Sequence, residues 1–269
     1  MTTSATLFPT QFTPTYVAAR AKTLKTFWLR RTEHIEEVWD VLDLQNKNAS
    51  GVFESAVDNE PRAMFDLAVH LMSQLPHRTT MHVAEDEALR TQAADSERAL
   101  KSIWRTKDDE RESLDPFWVE YNTFMLASGW RHLRYWVEPG SDMPFKVVND
   151  NPRETFPWFA GERLVQYVHS YQVYAHEVAF RALEAGQPVP IGRGADDKAW
   201  LHDYYELTIE NSKPVSYIML AWEFAGSRDS AGASGWIIPP RDLERVHLPI
   251  ICGPVGGFPD HTRDGWQAR

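Results

Sequence analysis

Hydrophobic positions recur at three- and four-residue intervals along most of the chain, the period of helices that bury one face. Thr13 or Thr15 can cap a first helix with Pro14 in its opening turn. Leu24, Trp28, Ile35, Trp39 and Leu42 then form a stripe, with Phe27 and Val38 beside it and only Arg31 interrupting, to about Leu44. The spacing predicts a second helix from about Asp58 to Leu75, with Pro61 in its first turn, and a third over about 85–105. Asp115-Pro116 opens a fourth, with Phe117, Tyr121, Phe124, Met125, Leu133 and Trp136 on one face and Glu138-Pro139-Gly140 as its end. A long fifth helix is predicted over 158–185 with Gly186 past its end, and a sixth from Asp196 or Asp197 to about Asn211. Val215 to Phe224 is almost continuously apolar. Periodicity does not separate helix from strand there, and helical neighbours favour helix. Short strands are predicted at 145–148 and 248–251, and a short helix near 241–246.

The fold class this pattern predicts is all-α. A compact body of six or seven helices spans 16–225, between an extended arm at 1–15 and an irregular Gly/Pro-rich segment at 226–269 that packs on the body or on a neighbour.

The chain has 269 residues, 43% hydrophobic and 25% charged, which excludes wholesale disorder. No apolar run approaches the roughly 18 residues that span a bilayer, so no membrane role is expected. The N-terminus has neither a basic nor an apolar leader region, and the single cysteine, Cys252, makes no internal disulfide. Both features point to the cytoplasm or a virion. The net charge of −10 argues against general nucleic-acid affinity. Eleven Trp, thirteen Phe and nine Tyr point to an aromatic core or to aromatic anchors at interfaces.

Motifs remove whole classes. No phosphate-binding G-x-x-x-x-G-K-[ST], dinucleotide glycine fingerprint, G-x-S-x-G, H-E-x-x-H or C-x-x-C occurs. No cofactor or metal is therefore assigned. His169, Gln172 and His176 share a stripe if residues 158–185 are helical, with His202 and Glu206 available from the next helix, a spacing that suits a His-based site. Asp108-Asp109-Glu110-Arg111-Glu112 resembles the Asp-rich magnesium–diphosphate motif of terpene-type synthases over those five residues, without the second motif; an acidic loop ahead of a helix accounts for it. Arg20, Lys22, Lys25, Arg30 and Arg31 form one basic cluster. In Trp130–Trp136, Arg131 and Arg134 alternate with aromatics, as in surfaces that contact single-stranded nucleic acid.

The function expected on this basis is a self-assembling structural protein of coat, capsid or nucleocapsid type. Its partners are copies of itself and, locally, nucleic acid. Phe8, Phe12, Tyr16, Phe258 and Trp266 are the expected assembly contacts, from arms that dock on neighbours. The alternative is an all-helical enzyme or ligand-binding protein built around His169 and His176.

Overall fold

The computed structural model of the chain describes residues 12–43, 60–74, 87–109, 117–137, 140, 145–189, 197–210, 213–224, 234–255, 259–260 and 267–268. Four helices come first: α1 (Pro14–Phe27), α2 (Leu29–Leu42), α3 (Glu60–Gln74) and α4 (Glu87–Asp109), close to the positions their periodicity predicts. Thr13 caps α1, its hydroxyl accepting from the Tyr16 N–H at 3.1 Å. At Trp28 the helix axis breaks, and α2 begins one residue later.

Beyond α5 (Phe117–Ser128) the all-α expectation fails. Gly129, at φ +68, ends that helix in a conformation that favours glycine, and the chain turns into β1 (Trp130–Val137). There follow β2 (Phe145–Asn149), β3 (Thr155–Ala160), β4 (Arg163–Tyr174), α6 (Ala175–Glu184), β5 (Lys198–Glu210), β6 (Lys213–Phe224), β7 (Ser234–Asp242) and β8 (Ile250–Pro254). The fold is therefore a mixed α/β one, with two main antiparallel sheets. One has the order β3-β4-β5-β6-β7 and the other β2-β1-β8. A two-residue ladder pairs 259–260 with 267–268.

The predicted fifth helix is mostly β3 and β4, the sixth is β5, and Val215–Phe224 belongs to β6. The helix predicted at 241–246 is instead the end of β7 and a bend. Val165, Tyr167, Val168, Tyr171 and Val173 in β4 are the β-branched and aromatic residues that suit a pleated surface. Both β4 and β5 also pair on each side, which buries them from two directions. The strands expected at 145–148 and 248–251 are present as β2 and, shifted by two residues at its start, β8.

The five-stranded sheet has two differently furnished faces. On the first lie Gln166, Val168 and Ser170 of β4, Trp200, His202, Tyr204 and Glu206 of β5, and Met219, Ala221 and Glu223 of β6, with α1 packed across them. Val17, Ala21 and Leu24 of α1, with Trp28 at its C-cap, join Val168, Tyr204, Met219 and Ala221 in the largest core. The Trp28 ring meets Trp130 edge-on at 5.3 Å, and its indole N–H donates to the Pro157 carbonyl at 2.7 Å. Arg31 does not break the inward stripe of α2 but belongs to it. Its guanidinium lies 4.3 Å from the Trp28 ring and donates to the Pro152 and Thr155 carbonyls. Burial, with no carboxylate partner among the described residues, lowers its pKa to about 10.

On the second face, Leu201, Leu220, Trp222 and Ile237 meet Ala175 and Val178 of α6, while Tyr167, Tyr205 and Leu207 meet Leu248 and Ile250. An ion cluster ties the two sheets together on this side. Arg134 of β1 reaches Asp150 at 2.6 Å and Asp203 at 3.0 Å. His169 of β4 sits 3.6–3.7 Å from Asp150, Glu154 and Asp203. Tyr167 donates to Asp150 at 2.8 Å. Burial opposes the charged imidazole, but the Asp203 and Glu154 carboxylates, with Asp150, outweigh it and raise the His169 pKa to about 9. Asp203, though buried, is held below the usual carboxylate range by Arg134 and His169.

Candidate functional site

Helical and strand periods meet beneath α1. Ala18, Ala21, Lys22 and Lys25 stand at i, i+3, i+4 and i+7, so they share one flank of the helix. Ser170, Trp200, His202 and Glu223 occupy the facing positions of three adjacent strands. Together these eight residues line a cavity of about 400 Å³, within the range of small-molecule sites. Two alanines rather than larger residues leave the space open. Lys25 Nζ stands 4.5 Å from the centre of the Trp200 ring, a cation over an aromatic face.

Inside the cavity three polar side chains form a line. The Ser170 hydroxyl lies 3.0 Å from His202 Nδ1, and the two residues are directly paired across β4 and β5. His202 Nε2 lies 3.7 Å from Glu223 Oε2 on β6 and has no hydrogen-bond partner among the described residues. Ser170 and His202 are each 5% exposed. The imidazole facing it holds the Glu223 carboxyl below its ordinary value, Lys22 acts in the same direction, and burial opposes both.

Two rows further along β5, a second polar group fixes α1 over this face. Tyr16 and Tyr204 both donate to Glu206 Oε2, at 3.1 and 2.5 Å. Arg20 donates twice to Gln166 Oε1, at 2.8 and 2.6 Å. Burial, reinforced by Glu206, raises the pKa of Tyr16 and lifts that of Tyr204 well above its ordinary value. These phenols stay protonated as donors at neutral pH. Phe12 completes the anchor, 5.2 Å from Tyr217 and 6.0 Å from Tyr16.

Other hollows are larger but chemically plainer. One of about 530 Å³ lies between the β3–β4 turn and His247, Leu248 and Ile250; another of about 520 Å³ lies between α2, α3 and α5. Neither is lined by a hydrogen-bonded pair of buried polar side chains like Ser170 and His202.

The structure separates the residues that a helical reading groups together. His169 and Gln172 point to opposite faces of β4, and His176 sits on α6, stacked on Tyr174 at 5.7 Å. His169 is instead held in the ion cluster. His202 and Glu206 do share a face, because a spacing of four is in phase with a strand as well as a helix. Among the described residues no group of three or more His, Cys, Asp or Glu side chains is arranged to hold a metal. The side chains of the acidic run 108–112 lie outside the described residues.

Of the basic residues, Arg131 is exposed on β1, whereas Arg134 is engaged by two carboxylates. In the Arg20–Arg31 cluster, Arg20, Lys22, Lys25 and Arg31 all face the chain's own body. Of the expected assembly contacts, Phe12 and Tyr16 pack on the chain's own first core, and Phe8, Phe258 and Trp266 lie outside the described residues. Among the described residues no helix is long and apolar enough to cross a membrane. Compared with protein-family models and with curated proteins, the chain matches none.

Proposed function

We propose that this chain binds a small organic anion in the cavity between α1 and the five-stranded sheet. The observation that carries this reading is the pairing of Lys22 and Lys25 with an apolar wall of Ala18, Ala21 and Trp200 around the buried donors Ser170 and His202. The apolar wall takes the body of such a ligand, and its acidic group meets the lysines at the rim. Glu223 offsets one of the two positive charges, so the balance of the lining favours a single negative group over a multiply charged one. Phe12 and Tyr16, two of the five expected assembly contacts, are seated on the chain's own sheet and so lend the coat-subunit expectation no support.

Isothermal titration with 4-nitrobenzoate tests the reading. The expected result is one site per chain with a micromolar to low-millimolar dissociation constant. Replacing both lysines in a Lys22→Ala, Lys25→Ala double variant weakens binding by about 10-fold or more, and raising the salt weakens it for the wild type. Absence of heat in the wild type, or equal affinity in the double variant, refutes the assignment.

A further inference from the structure

We propose that Ser170 is the nucleophile of an acyl-transfer reaction on small anionic esters, with His202 as its general base; the inference rests on the ligand reading of the same cavity. Ser170 Oγ is 3.0 Å from His202 Nδ1. A hydroxyl donating to that nitrogen requires it to be unprotonated, which places the ring proton on Nε2. Nε2 is buried, has no hydrogen-bond partner among the described residues, and faces Glu223 Oε2 at 3.7 Å. The line hydroxyl–imidazole–carboxylate is the arrangement that activates a serine, here with the two ring nitrogens exchanging their more common roles. The gap to Glu223 is longer than a hydrogen bond, as such contacts often are before a ligand closes them.

Placement on the sheet supports this role. The three residues come from the adjacent strands β4, β5 and β6, and a serine and histidine directly opposite one another in register cannot drift apart without breaking the ladder. All three line the one cavity that also carries Lys22, Lys25 and Trp200. The Ser170 N–H donates to the Glu154 carbonyl at 2.8 Å and is therefore not an oxyanion donor. Lys22 and Lys25 of the facing helix line the same cavity and would supply positive charge for the acidic group of the ester and for the developing oxyanion.

The reaction balances with water as the only co-reactant. A lone pair on Ser170 Oγ forms a bond to the ester carbonyl carbon, the carbonyl π electrons move to its oxygen, and the hydroxyl proton passes to His202 Nδ1. Collapse breaks the bond to the leaving oxygen, which takes the proton from Nδ1 and departs as an alcohol, leaving Ser170 acylated. Water then attacks the acyl carbon and gives a proton to Nδ1. That proton returns to Oγ as the acyl–serine bond breaks and the carboxylic acid leaves. Glu223 stabilises the imidazolium in both halves.

The test treats the full-length chain with an alkyl fluorophosphonate and locates the adduct by intact mass and peptide mapping. One adduct per chain on Ser170 is expected, absent in Ser170→Ala and formed about 100-fold or more slowly in His202→Gln. Slow hydrolysis of 4-nitrophenyl hemisuccinate should disappear in the same two variants. No adduct on the wild-type chain, or an adduct at another residue, overturns the proposal. Mapping the wild-type adduct needs no variant, so a misfolded Ser170→Ala chain does not decide the outcome. Titration of the same preparation with 4-nitrobenzoate separates the two readings: binding without an adduct overturns the nucleophile alone, and neither binding nor adduct overturns both.

Discussion

Raising the pH from 6 to 9.5 should weaken the fold through one residue, His169. Its ring is 13% exposed and faces Asp150, Glu154 and Asp203, with Arg134 beside it and the Tyr171 ring stacked at 4.6 Å. The folded-state pKa stands at about 9 against an ordinary 6.5. A group whose pKa is raised on folding contributes stability that is complete below the unfolded value and is lost as pH rises through the folded one. At 1.36 kcal/mol per unit, a difference of roughly two and a half units corresponds to about 3 kcal/mol. That stability is present below pH 6.5 and gone above about 9. The assay is urea unfolding followed by far-UV circular dichroism at several pH values, on the wild type and on His169→Gln. The variant should be about 3 kcal/mol less stable at pH 6 and nearly equal to the wild type at pH 9.5. Parallel declines in the two proteins between pH 6.5 and 9.5 would show that the cluster is not held by a charged imidazole.

Two packing predictions use other parts of the sheet. Trp28→Ala removes a ring that is 1% exposed, its contact with Trp130 and the hydrogen bond to Pro157, and should cost about 4 kcal/mol in the same urea assay; a loss under about 1 kcal/mol would mean that the α1–α2 junction is not part of the main core. Gly235→Ala should cost about 1–3 kcal/mol, because the added Cβ would stand 2.6 Å from the Trp222 ring, which is itself buried; unchanged stability would refute the close approach.

The helical N-terminal half was readable because its apolar residues keep a period near 3.6 and its ends carry caps, such as Thr13 with Pro14. The second half carries a helical pattern for a specific reason. In β4 both faces are buried, so apolar and aromatic residues fall on odd and even positions alike, and a helical stripe through Val165, His169, Gln172 and His176 can be drawn as easily as the true alternation. The signal that separates the two readings is compositional: Tyr and Val dominate 163–174, and Tyr, Trp and Leu dominate 198–207. Ser170, His202 and Glu223 lie far apart in sequence, and only the register of β4, β5 and β6 brings them together, so the candidate site was not legible before the strands were paired. His202 stands out in the sequence, but the helix expected to carry it is strand β5.

Strand β5 supplies Trp200, His202, Tyr204 and Glu206 to one face of the sheet and Leu201, Asp203, Tyr205 and Leu207 to the other. Cavity and ion cluster are thus interleaved on a single reading frame of backbone. A substitution can alter one and spare the other, but inserting or deleting one residue within β5 would turn His202 toward the salt bridges and Asp203 toward the cavity, disabling both together. Variation that this chain tolerates should therefore arrive as point changes within β5 and as length changes only at its ends.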